Sequence, residues 1–168
     1  MTFMHHSWAP FIVERAALIA PRPLRTPEGV GDRLRVAAFA EVQAAAAFEW
    51  AAEHFDDASD ELKHAWRALA GEERKHRDWL LSRMQALGAR VDEVPVSDVL
   101  WHSLVRCASA REFCLYMAGA EERGRRAGER FGETLRAYDG VSAEIFARIA
   151  VEEREHIALA ERFFGPAT

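Results

Sequence analysis

Apolar residues recur along four stretches of this chain in alternating steps of three and four, the spacing of one face of an α-helix. The first seam runs Leu34, Ala38, Glu41, Ala45, Phe48, Ala52, Phe55 and predicts a helix from about residue 32, with Asp32 as N-cap. The second, Leu62, Trp66, Leu69, Glu73, His76, Leu80, Met84, Leu87, predicts a helix from about residue 60 that stops at Gly88. Ser109 and Glu112 form a capping box before the third, whose seam is Phe113, Met117, Glu121, Gly124, Gly128, Phe131 and Leu135. Ser142 opens the fourth, with Phe146, Ile149, Glu153, His156, Ala160 and Phe163 inward and Gly165-Pro166 at its end. Each seam is apolar except for three glutamate or histidine intrusions per pair of helices. Those six exceptions decide the reading.

The connections define an all-α architecture. Residues 56–59 and 139–141 are short turns that force antiparallel neighbours. Residues 88–108 form a long crossover, with a short helix expected around Asp98–Cys107. The expected organisation is therefore an N-terminal arm over 1–32 and a four-helix bundle over 33–168. Within the arm, Trp8 to Ala20 reads as a short helix, followed by the breakers Pro21, Pro23, Pro27, Gly29 and Gly31. Trp8, Phe11 and Ile12 would be costly to expose together, so the arm should pack on the bundle. His5 and His6 read as solvated residues rather than ligands.

The intrusions repeat. Glu41, Glu73 and His76 recur 80 positions later as Glu121, Glu153 and His156, with an interval of 32 positions from the lone Glu to the Glu-x-x-His each time. Neighbours follow the same translation, since Trp66 to His76 lies over Phe146 to His156. The point midway between Glu41 and the Glu73/His76 pair falls near residue 58, inside the first turn, and the second set centres near residue 138. Both sets thus lie at ~25 Å from their own turns. Two hairpins related by an approximate two-fold would bring all six donors to one height.

A lone Glu-x-x-His is usually a solvated helix face. On an apolar seam the same residues would be prohibitively desolvated unless something pairs them. Positions i and i+3 share a face, so the Glu and His of each motif reach one ion. Six hard oxygen and borderline nitrogen donors suit iron or manganese, whereas structural zinc prefers four ligands, usually with thiolate. Glu72, Glu152 and Glu122 fall about 100° off the seam and read as outer or surface groups. Glu49 and Glu129 repeat two turns beyond the lone glutamates and are candidates for additional carboxylates, with Arg74 and Arg154 as partners. Ala44, Ala45, Gly124 and Gly128 leave room beside Glu41 and Glu121, either for close helix packing or for a pocket; His102, Trp101 and Tyr116 are candidates for its entrance.

Composition narrows the setting. A chain of 168 residues, 49% hydrophobic and 29% charged, suits one folded domain with a substantial core. No apolar run approaches the ~20 residues that cross a bilayer, and no signal-peptide pattern opens the sequence, so the expectation is a cytoplasmic protein without a membrane partner. Assigning four glutamates to metal reduces the formal charge from −5 to −1, which gives no long-range attraction for nucleic acid. Arg123, Arg125, Arg126 and Arg130 read as a solvated face laced with Glu122, Glu129 and Glu133 rather than an RNA surface. Cys107 and Cys114, taken as seven residues apart on one helix, lie too far apart for a disulfide and read as free thiols.

At these residues the chain resembles the ferritin-like superfamily of dinuclear carboxylate proteins, over about 33–164. Glu41, Glu73-x-x-His76, Glu121 and Glu153-x-x-His156 correspond to that superfamily's lone Glu and Glu-x-x-His ligands. Glu41-Val-Gln-Ala44 and the crossover stretch Pro95-Val-Ser-Asp-Val-Leu-Trp101 look most like an uncharacterised bacterial branch related to rubrerythrins and to a tRNA-hydroxylating family. The resemblance implies two iron ions, or a manganese–iron pair, and an oxidoreductase that activates dioxygen or peroxide and oxidises an organic small molecule. It implies an external electron donor and includes a homodimer among the expected assemblies. The alternatives are a ferroxidase or rubrerythrin-like peroxide scavenger, and a bundle whose metal is purely structural.

Overall fold

A computed structural model of the chain describes residues 7–16 and 19–165; His5 and His6 lie outside them. Five helices follow one another: α1 Pro27–His54, α2 Asp60–Ala86, α3 Val99–Leu104, α4 Ala110–Leu135 and α5 Gly140–Phe164. The four long ones form a helical bundle in which α1 packs chiefly on α2 and α4 chiefly on α5, while α3 touches α1 and α4. No strand occurs among the described residues, and no helix is long and apolar enough to cross a membrane.

Helix ends follow local chemistry. Ser59 Oγ accepts from Leu62 N at 3.2 Å to start α2, and Gly88 takes the positive φ of 69° just beyond its end. Ser109 Oγ accepts from Glu112 N at 3.2 Å, while the Glu112 carboxylate turns back to Ala108 N at 2.7 Å. Two starts differ from expectation. α5 begins at Gly140 because Asp139, not Ser142, is the cap: its carboxylate accepts from Ser142 N at 3.1 Å. α1 begins at Pro27 because Thr26 Oγ1 accepts from Gly29 N at 3.0 Å and proline suits the first helical position.

Asp32 is consequently inside α1 and buried. Its carboxylate takes three donors from Arg22, the backbone N at 3.0 Å, Nε at 2.9 Å and Nη2 at 2.6 Å, and Arg35 Nη1 at 2.9 Å. Arg35, 1% exposed, continues to the carbonyl of Arg90 and to Glu93, so arm, helix and crossover share one network. Burial works against ionisation of Asp32, but Arg22 and Arg35 outweigh it and hold the carboxyl well below the usual range. The sign follows: the unfolded chain takes up a proton near pH ~3.9 and the folded chain only lower, so this contribution is complete above that value and lost on acidification. Stability should fall more steeply below about pH 5 in the wild type than in Asp32→Asn. Urea midpoints across an acid series check it, and parallel slopes would contradict it.

The described part of the arm holds no helix before α1: turns, such as the one closed by Phe11 N to Trp8 O at 3.0 Å, flank an extended stretch around Val13. Val13 pairs with Val96 of the crossover, through Glu14 N to Val96 O and Val96 N to Ile12 O, both at 2.9 Å. Those bonds claim backbone groups that a helix would need. Extended alternation buries Phe11 and leaves Ile12 45% exposed. Trp8 meets Phe39 and Trp101 edge-on at 5.5 and 5.7 Å. The arm also crosses the first turn of α1, where a Cβ on Gly29 would overlap the carbonyl oxygen of Pro23. Cys107 and Cys114 are both free, but Cys107 precedes α4 and only Cys114 lies in it.

The core divides in two. One cluster, with Phe48, Phe55, Leu62, Trp66, Leu104, Phe113 and Met117, fills the end of the bundle near the 55–59 turn. The other, with Leu34, Phe39, Leu80, Met84, Leu135, Phe146 and Ile149, fills the opposite end. Between them lies a layer of buried carboxylates and imidazoles.

Candidate metal centre

The layer contains the six seam donors. Glu41 comes from α1, Glu73 and His76 from α2, Glu121 from α4, Glu153 and His156 from α5. Glu73 and His76 are fully buried, Glu121, Glu153 and His156 nearly so, and Glu41 is half-buried. Their ligand atoms form two groups, Glu41, Glu73, His76, Glu153 and Glu73, Glu121, Glu153, His156, each within 4.8 Å. Glu73 and Glu153 belong to both, so each group joins one lone glutamate and one histidine of a hairpin to a shared carboxylate pair.

The histidines present one nitrogen inward and one outward. His76 Nδ1 lies 3.4 Å from Glu73 and 3.5 Å from Glu153; His156 Nδ1 lies 2.9 Å from Glu73 and 3.7 Å from Glu153. On the outer side His76 Nε2 is 2.8 Å from Glu152, and His156 Nε2 is 3.5 Å from Glu72. Each glutamate that precedes a ligand by one residue therefore serves the histidine of the other hairpin, because a step of about 100° turns it toward the neighbouring helix. Lys75 reaches Glu152 at 2.6 Å and Glu72 at 3.7 Å and offsets their charge. Trp79 lies 5.5 Å from the His76 ring, beneath Arg148 at 4.1 Å.

Most inward polar atoms make no hydrogen bond of good geometry, although the histidines and carboxylates stand close together: both oxygens of Glu73 and Glu121, Glu153 Oε2 and both histidine Nδ1 atoms. Buried polar groups are ordinarily satisfied, so this concentration of orphaned donor atoms fits cations between the carboxylates. Burial, then the charges of Glu73 and Glu153, pushes the Glu41 carboxyl well above its usual range; burial with Glu153 and Glu73 does the same to Glu121. Burial raises Glu153 too. For Glu73 burial is overcome by His156 and His76, which hold it down at about 2. Burial likewise works against a charged His76, but Glu153, Glu73 and Glu152 lift it to about 10, and His156 is raised in the same way.

The raised carboxyls and imidazoles of this layer hold protons that a cation entering it would displace. Divalent-metal uptake near neutral pH should release protons, and affinity should rise with pH. Titration calorimetry in buffers of different ionisation enthalpy checks this; buffer-independent heats would contradict it.

Other sequence candidates lie elsewhere. Glu49 pairs with Arg74, and Glu129 with Arg125 at 2.6 Å and Arg154 at 3.7 Å, and neither joins a ligand group. Glu122 is taken by Arg125 and Arg126, so half of the arginine cluster is neutralised on its own helix.

A cavity of about 550 Å³ opens between α1 and α4, with Glu41, Glu73, Glu121 and Glu153 at one side of it. Ala44, Gly124 and Gly128 line it, while Ala45 borders a separate pocket of about 130 Å³ beside Glu41, Glu49 and Arg74. Gly124 is exposed rather than on a packed seam, and a Cβ there would meet nothing within 4 Å. His102, Trp101 and Tyr116 do not border the cavity: Trp101 is buried under Trp8, His102 bonds Asp98 at 3.0 Å, and Tyr116 faces outward. The crossover residues Val94 to Ser97 and Leu100 close that side instead. Buried Gln43 pins them to α1, donating to Ser97 O at 3.2 Å and accepting from Trp101 N at 3.0 Å.

Residues 5–168 match the model of a family described as Protein of unknown function (DUF455). No curated protein and no solved structure matches the chain.

Proposed function

The chain belongs to the DUF455 family, and from its buried donor layer we propose a dinuclear non-haem iron oxidoreductase of the ferritin-like kind that activates dioxygen or peroxide to oxidise an organic molecule. One observation carries the reading: two ligand groups sharing Glu73 and Glu153 border a cavity walled mainly by apolar side chains. Oxygen and imidazole donors without thiolate favour iron, with a manganese–iron pair as the variant, over structural zinc. Four carboxylates balance two divalent cations.

When bound, the metal pair supplies the redox chemistry that these side chains lack. Glu73 and Glu153 would hold both ions, Glu41 and His76 one, Glu121 and His156 the other. Glu152 fixes the His76 ring by accepting at 2.8 Å from its Nε2, which leaves Nδ1 free as a ligand. Apolar walls such as Ala40, Gly128 and Ile149 exclude water and admit a carbon skeleton to the carboxylate side. Electrons come from an external donor.

Anaerobic loading with ferrous ion, followed by air, tests the reading. Oxygen uptake with a ferric charge-transfer band in the near-ultraviolet is expected; an air-inert, colourless complex would leave only a structural metal. A ferroxidase or peroxide-scavenging role has its own support in the small pocket beside half-buried Glu41, which is separate from the large cavity and shares only Glu41 with it. Peroxide turnover undiminished in Gly124→Leu, where the side chain fills cavity space, would favour that second reading.

A further inference from the structure

Three guanidinium groups border the cavity, and two are already neutralised. Arg35 pairs with Asp32 at 2.9 Å and Glu93 at 3.1 Å; Arg125 pairs with Glu122 at 2.7 Å and Glu129 at 2.6 Å. Arg33 makes no ion pair among the described residues. Its Nη1 donates to the carbonyl of Arg22 at 2.7 Å and more weakly to that of Gly29 at 3.4 Å. Asp32, the carboxylate whose charge it feels, is already engaged by Arg22 and Arg35. The guanidinium stands over the Phe131 ring, 5.8 Å from its centroid.

Both flanking helices give the distance from this cation to the carboxylates. Arg33 precedes Glu41 by eight residues on α1, and Phe131 follows Glu121 by ten on α4. At the helical rise these separations are about 12 and 15 Å. The walls between are mainly apolar, Val36, Ala37, Ala40, Gly124, Ala127 and Gly128, and the two cations along them, Arg35 and Arg125, are held by Asp32 and Glu93 and by Glu122 and Glu129. The space is therefore mainly apolar along its length, with an uncommitted cation at one end and the carboxylate layer at the other.

We propose that the cavity takes an aliphatic monocarboxylate, its carboxylate on Arg33 and its chain lying between α1 and α4 toward Glu41 and Glu121. This deepens the oxidoreductase reading, on which its role as substrate rests. A neutral chain would leave a part-buried guanidinium without a counter-charge, and a molecule polar along its length would meet mostly apolar walls whose Arg35, Gln43 and Arg125 are already engaged. At carbon–carbon bond lengths, about ten bonds span the distance, so selection is by length and end group.

Decanoate and 1-decanol are the probes, titrated calorimetrically into the full chain with metal content measured in parallel. Decanoate should bind one per chain; Arg33→Gln should weaken it about 10- to 100-fold while leaving decanol unchanged. Arg33→Lys should recover part of the loss, and Gly124→Leu should weaken both probes. Equal decanoate affinity in wild type and Arg33→Gln, or no binding to folded wild type, would overturn the assignment. If two metals load but decanoate is ignored, this inference alone falls. If decanoate binds as described but no metal loads, the oxidoreductase reading falls and the cavity remains a carboxylate site.

Discussion

Replacing Glu73 by alanine is expected to strip the protein of nearly all bound metal, whereas alanine at Glu41 or His76 should remove only one ion. The asymmetry comes from sharing. Glu73 belongs to both ligand groups, while Glu41 and His76 belong to one. Alanine at Glu152, which only orients His76, should weaken one site by about 10- to 100-fold without emptying it. Elemental analysis after loading and desalting, with circular dichroism to verify helix content, separates these outcomes. Equal losses from Glu73→Ala and Glu41→Ala would show that the carboxylate is not shared.

The second large effect reverses the usual direction of a core substitution. Glu121 is 8% exposed and neither oxygen has a hydrogen-bond partner, so without metal it is a carboxyl held in place at a desolvation cost. Leucine has a similar volume and no such cost. Glu121→Leu should stabilise the metal-free protein by about 1–3 kcal/mol, a rise of several degrees in melting temperature. With metal in excess the order inverts, because only the wild type gains binding free energy from the complete site. Thermal melts with chelator and with ferrous ion under nitrogen test both halves. Destabilisation in both conditions would mean that Glu121 is a structural partner rather than a ligand held in reserve.

Much of this architecture was legible because amphipathic helices report their inward face directly. The alternation of three and four placed Trp66, Leu80, Phe113 and Phe146 in the interior, where they are buried. The same register singled out Glu41, Glu73, His76, Glu121, Glu153 and His156, which the fold brings into one layer. What the pattern missed depends on backbones that meet only after folding. Asp32 looked like a cap because nothing local announced that Arg22 and Arg35 would converge on it. The Trp8–Ala20 segment looked helical because its pairing with Val96 is remote in sequence. Arg33 and Gln43 carried no signal at all, since one matters by pairing with no carboxylate among the described residues and the other by holding the crossover. The stretch Thr26-Pro27 could have been recognised as a start, but the arm's breakers masked it.

The most direct measurement is anomalous diffraction, at the metal absorption edge, from crystals loaded with ferrous ion. Two peaks should appear between α2 and α5, one beside His76 Nδ1 and one beside His156 Nδ1, both touching Glu73 and Glu153. A single peak on the outer nitrogens among Glu72, His76 and Glu152, or none in the buried layer, would contradict the account.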